Sequence, residues 1–190
     1  VTLNGRDILK LGPKGLRGLR GREVTYVAQS AAASFNPAKR LMEQVIEATL
    51  KHGLCGRSEA EARAVKLFRK LGLPNPETIG NRYPHQVSGG QLQRVMTAMA
   101  LCPEPSLVIF DEPTTGLHMD DVQKLLKSLD ALIALGHTVV VVEHHRDVLA
   151  AADWLIELGP DGGPDGGHLL YAGDPREMKG IESPTAVALR

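Results

Sequence analysis

Two periods of apolar residues alternate along this chain. Runs rich in β-formers occur at 22–28 (REVTYVA), 106–110 (SLVIF), Thr138–Val142 (TVVVV), 154–158 (WLIEL) and 169–172 (LLYA), and each reads as a strand. The 106–110 run has the look of a strand buried on both faces. Apolar residues at helical spacing predict a helix over 41–52, ended by Gly53. A second helix runs from Ser58, with Glu61 completing a capping box, to about residue 71 before Gly72. A third starts at Gly89 or Gly90 behind Ser88 and stops at Cys102 before Pro103. Residues 120–135 form a fourth, ended by Gly136, and 146–152 a short fifth. Asp174 caps a last short helix. The opening residues Val1 to Gly5 read as a strand entering a turn, while 31–37, 74–84 and the Gly-rich 159–167 read as loops. The chain shows no internal repeat.

Strands therefore alternate with helices at both ends, and a helical block interrupts them. That order predicts an α/β fold: a mostly parallel sheet with an inserted helical subdomain. The expected division is a core lobe from 1–38 and 88–190, with 39–87 as the helical subdomain.

Composition narrows the classes. The formal net charge of the 190 residues is zero, so bulk charge gives no case for nucleic acid or an anionic membrane. The first forty residues lean basic, as a solvated face does. Cys55 and Cys102 stand apart with no Cys-x-x-Cys pair, which leaves zinc ribbons and redox motifs unsupported and fits a reducing, cytoplasmic setting. No apolar run is long enough to span a bilayer, so any membrane role is a peripheral one.

The chemistry gathers at strand ends. The apolar run 107–110 ends in Asp111 and Glu112, and ligands of parallel sheets bind beyond the carboxyl ends of the strands. Asp111 is placed to hold a hard cation such as Mg²⁺ through oxygen, and Glu112 to orient or deprotonate a water. Ser88, Gly89, Gly90 and Gln91 open a helix whose free N–H groups and dipole suit an anion such as a γ-phosphate. Gln29 follows one apolar strand and offers an amide to a metal-bound water or phosphate. His144 follows another and offers an imidazole. The spacing of His118, His137, His144 and His145 does not support a metal cluster.

The order of Gln29, VSGGQ at 87–91, LVIFDEP at 107–113, TTGLH at 114–118 and EHH at 143–145 resembles the ATP-binding cassette family over essentially the whole chain. The resemblance implies a P-loop NTPase-like fold that binds ATP and Mg²⁺. It makes Gln29 the Q-loop glutamine, Ser88 to Gln91 the signature, Asp111 the metal ligand, Glu112 the catalytic base and His144 the switch histidine. Thr115 to His118 become the D-loop. It also implies a second cassette as partner, because one cassette's signature completes the other's nucleotide site.

Two branches share the likeness. Residues 22–37 and 81–95 resemble the ATP subunits of oligopeptide, nickel and opine importers, which implies membrane permease partners at the inner face of the cell membrane. Residues 114–163 resemble the C-terminal part of UvrA, the excinuclease protein that senses DNA damage, and so does Ser183-Pro184-Thr185-Ala186. That branch implies DNA as a partner, although the zinc-binding Cys pairs of UvrA are absent here. The change of likeness falls at 111–115, a string both families share. No Gly-x-x-x-x-Gly-Lys-Ser/Thr string occurs, and Gly12-Pro13-Lys14-Gly15 has the wrong spacing. The chain opens on Val1 without a starting Met, so the expectation is a fragment whose phosphate loop and adenine-stacking aromatic lie upstream. The expected function is the ATP-hydrolysing subunit of an importer for peptides or similar small solutes. A repair ATPase and a non-catalytic cassette fragment are the alternatives.

Overall fold

The computed structural model describes residues 1–115, 118–159, 166–178 and 180–189. The chain forms two compact units, Val1–Val142 and Glu143–Arg190.

The first unit opens with a hairpin of β1 (Thr2–Leu3) and β2 (Arg6–Asp7). Asn4 and Gly5 make its turn with φ of 49° and 75°, the positive pair that an Asn-Gly hairpin turn takes most readily. Helix α1 (Pro13–Leu19) follows, with Pro13 in its first turn, where a missing N–H costs nothing. Strand β3 (Val24–Val27) leads into α2 (Ala31–Ser34), a single turn that replaces the loop expected at 31–37. Ser30 caps it by accepting from the Ala33 N–H, and the turn seats Ala31 and Phe35 in the core.

Next come α3 (Leu41–Val45), α4 (Glu47–Lys51) and α5 (Arg57–Lys70). The single helix expected over 41–52 is broken at Ile46, where the adjacent β-branched Val45 and Ile46 are both buried in the core. The Ser58 cap is a second correction. Gly56 caps α5 without a side chain, because the Glu61 carboxylate accepts from Arg57 Nε (2.9 Å) instead of reaching back to the backbone.

Helix α6 (Gly89–Leu101), strand β4 (Leu107–Asp111), helix α7 (Met119–Ala134) and strand β5 (Thr138–Val142) complete the unit. Strands β3, β4 and β5 form a parallel sheet in that order. Helix α6 packs against β3, with α2, α3 and α5 around it. One continuous core joins these layers, running from Val27 through Leu41, Phe68 and Val95 to Val108, Phe110 and Leu132. The sheet ends Asp111, Val142 and the exit of β3 at one level, which positions the site.

The second unit contains α8 (Arg146–Ala151), the antiparallel pair β6 (Leu155–Gly159) and β7 (His168–Gly173), and α9 (Pro184–Ala188). Its small core is Leu155, Met178 and Ala186. The short helix expected after Asp174 is a 3₁₀ turn over Pro175–Glu177, and Asp174 does cap it by accepting from the Arg176 N–H. Of the Gly-rich loop expected at 159–167, residues 160–165 lie outside the described residues.

Candidate functional site

The parallel register brings β3 beside β4. Tyr26 pairs with Ile109 and Val27 with Phe110, so the chain leaving β3 runs past Asp111 and Glu112. Gln29 reaches the pair: its amide Nε2 donates to Glu112 Oε2 at 2.6 Å. The Thr115 hydroxyl donates to the same oxygen at 3.3 Å. Three of the expected residues, Gln29, Asp111 and Glu112, are thus gathered in one cluster.

Glu112 departs from strand geometry. Its φ of 42° lies in the left-handed region, unusual for a residue with a long side chain. Its N–H still donates to the Val142 carbonyl (2.9 Å), which continues the β4–β5 ladder one step past the strand. The backbone rung is kept while the carboxylate turns toward Gln29. Strain of this kind collects at functional positions.

Asp111 has a partner that the sequence did not announce. The Tyr26 hydroxyl donates to Asp111 Oδ2. Tyr26 lies on the strand beside Ile109, and Asp111 is two residues further on the same face, within reach of a long side chain. This hydrogen bond, with smaller contributions from desolvation and from the Asp111 charge, pushes the Tyr26 phenol above its usual titration range. The available signal was an aromatic on the outward phase of an apolar strand, but its partner depends on register.

Ser88 caps α6 reciprocally. Its hydroxyl accepts from the Gln91 N–H (3.3 Å), and the Gln91 side chain accepts from the Ser88 N–H (3.1 Å). Gly89 and Gly90 have open space where a Cβ would stand. Their N–H groups, the first two of the helix, remain to meet an anion at its positive end. Arg94 fixes the turn from behind, donating to the Gly90 carbonyl (3.1 Å) and the Gly72 carbonyl (2.7 Å).

His144 belongs to the second unit, where its ring is 79% exposed. The carboxylate that holds its backbone is Glu143, a role the sequence did not suggest. The Glu143 side chain is only 1% exposed, and its Oε2 accepts from the His144 N–H (2.7 Å) and the His145 N–H (2.8 Å). Of the expected D-loop, residues 116 and 117 lie outside the described residues. Thr115 supports Glu112, and His118 caps α7 through its backbone alone.

The donor set suits magnesium held in company. Mg²⁺ is usually bound by one or two carboxylates together with substrate phosphates and waters. Among the described residues, no group of three or more His, Cys, Asp or Glu could hold a metal unaided. A lone Asp111 carboxylate beyond a parallel strand fits the former pattern. A separate cavity of about 540 Å³ lies between α5, α6 and α7, at the opposite ends of the strands, near Ser106 and His137.

The family model described as ABC transporter matches residues 1–115. The chain belongs to that family. The oligopeptide transport ATP-binding protein OppD of Bacillus subtilis is 34% identical over 171 residues, which is 84% of this chain and 47% of that protein. The dipeptide transport ATP-binding protein DppD of Escherichia coli is 35% identical over 169 residues, 84% of this chain and 52% of that protein. The UvrABC system protein A of Thermus thermophilus is 46% identical over 125 residues, 64% of this chain and 12% of that protein. The chain spans about half the length of these importer relatives. The importer alignments are longer than the first 113 residues and the UvrABC alignment is longer than the last 77, so both likenesses cross the shared string at 111–115. Among solved structures, a dimeric ATP-binding cassette in a post-hydrolysis state with ADP and Pi has a TM-score of 0.71 at 27% identity, covering 81% of this chain and 66% of that one. These cassettes share the α/β P-loop NTPase fold, with its parallel sheet and flanking helices.

Proposed function

We propose that this chain is the ATP-hydrolysing portion of an importer subunit for peptides or similar small solutes. It works with a second cassette and with membrane permease subunits, peripheral to the inner face of the cell membrane. The observation that carries the reading is the contact of Gln29 with Glu112 beside Asp111, at the carboxyl end of a parallel strand. The likeness to OppD and DppD supports the solute class.

The residues divide the work. Asp111 and Gln29 face the cation, and Mg²⁺ when bound would neutralise charge on the phosphate oxygens. Glu112 is the general base, its carboxylate already aimed by Gln29 and Thr115. Ser88, Gly89, Gly90 and Gln91 present the N-terminus of α6 to the terminal phosphate of the neighbour's nucleotide. His144 is the switch histidine, its backbone fixed by Glu143. No helix among the described residues is long and apolar enough to cross a membrane.

The test is to fuse a phosphate-loop segment upstream and assay Mg²⁺-dependent ATP hydrolysis. Glu112→Gln lowers kcat by at least about a hundredfold, the ordinary worth of a general base. Undiminished turnover would sink the assignment. A second reading, a repair-type ATPase, is favoured by the 46% identity to the UvrABC protein. Damage-preferring retention of duplex DNA on filters across a salt series would favour it over the importer.

A further inference from the structure

Both acids at the end of β4 are already engaged by donors from one short stretch of chain. Gln29 covers Glu112 and Tyr26 covers Asp111, three residues apart. The two contacts differ in what holds the donor. The Tyr26 ring is 57% exposed on the sheet surface, so swinging it aside forfeits little packing. Its O–H presents a positive hydrogen to Asp111 Oδ2, the carboxylate that a divalent cation would take. A cation at that oxygen meets the phenolic proton head-on, and like charges in one coordination sphere repel. Hydrogen bonds to charged groups are also the strong ones, so the cap has to be given up at a cost.

We propose that Tyr26 is a positioning residue that caps Asp111 in the cation-free site and must release it before a divalent cation binds, so that the phenol and the cation compete for one carboxylate. This rests on the reading of Asp111 as a metal ligand. The hydroxyl keeps the lone acid partnered while no cation is present, and it sets a threshold concentration for cation entry. A merely structural tyrosine would leave cation affinity unchanged.

The test uses the chain as it stands, labelled at tyrosine Cζ and at backbone nitrogen. The sequence has three tyrosines, and the Tyr26 signal is the one lost in Tyr26→Phe. Asp111→Asn is expected to move that signal, and a MgCl₂ titration of the wild type moves it saturably. Followed by the Asp111 amide shift, the Mg²⁺ midpoint falls roughly three- to tenfold in Tyr26→Phe, the scale of one ordinary hydrogen bond, because solvent at an exposed position screens the carboxylate charge. Circular dichroism confirms that this variant, which loses only an exposed hydroxyl, keeps its fold. A Tyr26 signal indifferent to Asp111→Asn, or equal midpoints in wild type and Tyr26→Phe, overturns the proposal alone. A Mg²⁺ response absent from both forms overturns the proposed competition, and one that persists unaltered in Asp111→Asn sinks the metal assignment and the proposal with it.

Discussion

The β3–β4–β5 sheet has two faces of nearly the same chemistry and opposite fates. On one, Thr25, Val27, Val108 and Phe110 are 7%, 0%, 0% and 0% exposed, with α6 packed against β3. On the other, Tyr26, Val140 and Val142 are 57%, 45% and 54% exposed. A threonine is inside and two valines are outside, so residue polarity did not choose the faces. Helix packing did. The covered face is continuous with the main core and supports the fold. The open face, by the alternation of side chains along a strand, also carries Asp111 and its tyrosine cap. Glu112 escapes the alternation only through its left-handed backbone.

Strand β6 repeats the contrast with the chemistry reversed. Glu157 is 8% exposed, while Ile156 and Leu158 beside it are 64% and 63% exposed. The acid is inside because it is useful there: its Oε1 accepts from the Thr185 N–H (3.0 Å) at the start of α9.

The largest effect separates the two faces outright. Phe110→Ala should cost about 3–5 kcal/mol, because it empties a fully buried site. Val140→Ala on the open face should cost less than about 1 kcal/mol, since little area is returned to water. Urea denaturation of both variants measures the difference, and equal costs would mean that the open face is covered in solution. A smaller effect concerns how Glu112 leaves the strand pattern. Glu112→Gly and Glu112→Ala lose the same side-chain contacts, but only Ala keeps the left-handed penalty. The Gly variant should be the more stable by about 1 kcal/mol. Equal midpoints would show that the backbone there is relaxed.

The pH response of Glu157 gives the finest test. Burial raises its titration range, but hydrogen bonds from Ser183 and Thr185 outweigh this, and the net shift is downward from the ordinary value of 4.5. A group depressed in the folded state stabilises above its unfolded value and loses that stabilisation as pH falls through its folded one. The protection factor of the Thr185 amide, its exchange normalised to the intrinsic rate at each pH, should therefore fall below about pH 4.5, and Glu157→Gln should remove that fall. A protection factor that is flat with pH in the wild type would contradict the contact.

Much of this was legible in advance, for a local reason. Strands β3, β4 and β5 and helices α6 and α7 are each specified by runs long enough to show their period, and their ends fall within about two residues of expectation. The Ser88–Gln91 cap was readable because both partners lie within one turn. Helices α1, α2 and α9 were missed: α2 is one turn long, α1 carries two glycines, and none shows a period. The Ser58 cap failed because Arg57, one residue earlier, competes for Glu61. At the site, the types and order of Gln29, Asp111, Glu112 and His144 were visible, while the tyrosine on Asp111, the threonine behind Glu112 and the enclosed Glu143 carboxylate were not.

The amino-acid order by itself determined which segments are strands and helices, that two acids end an apolar strand, and that Ser-Gly-Gly opens a helix. These follow from forces acting over a few residues: propensity, capping and side-chain period. Only the tertiary structure decided which face of the sheet is covered, that Tyr26 rather than another group meets Asp111, and that Gln29 reaches Glu112. Those outcomes depend on the parallel register of strands more than eighty residues apart, which packing sets and no local run of sequence encodes.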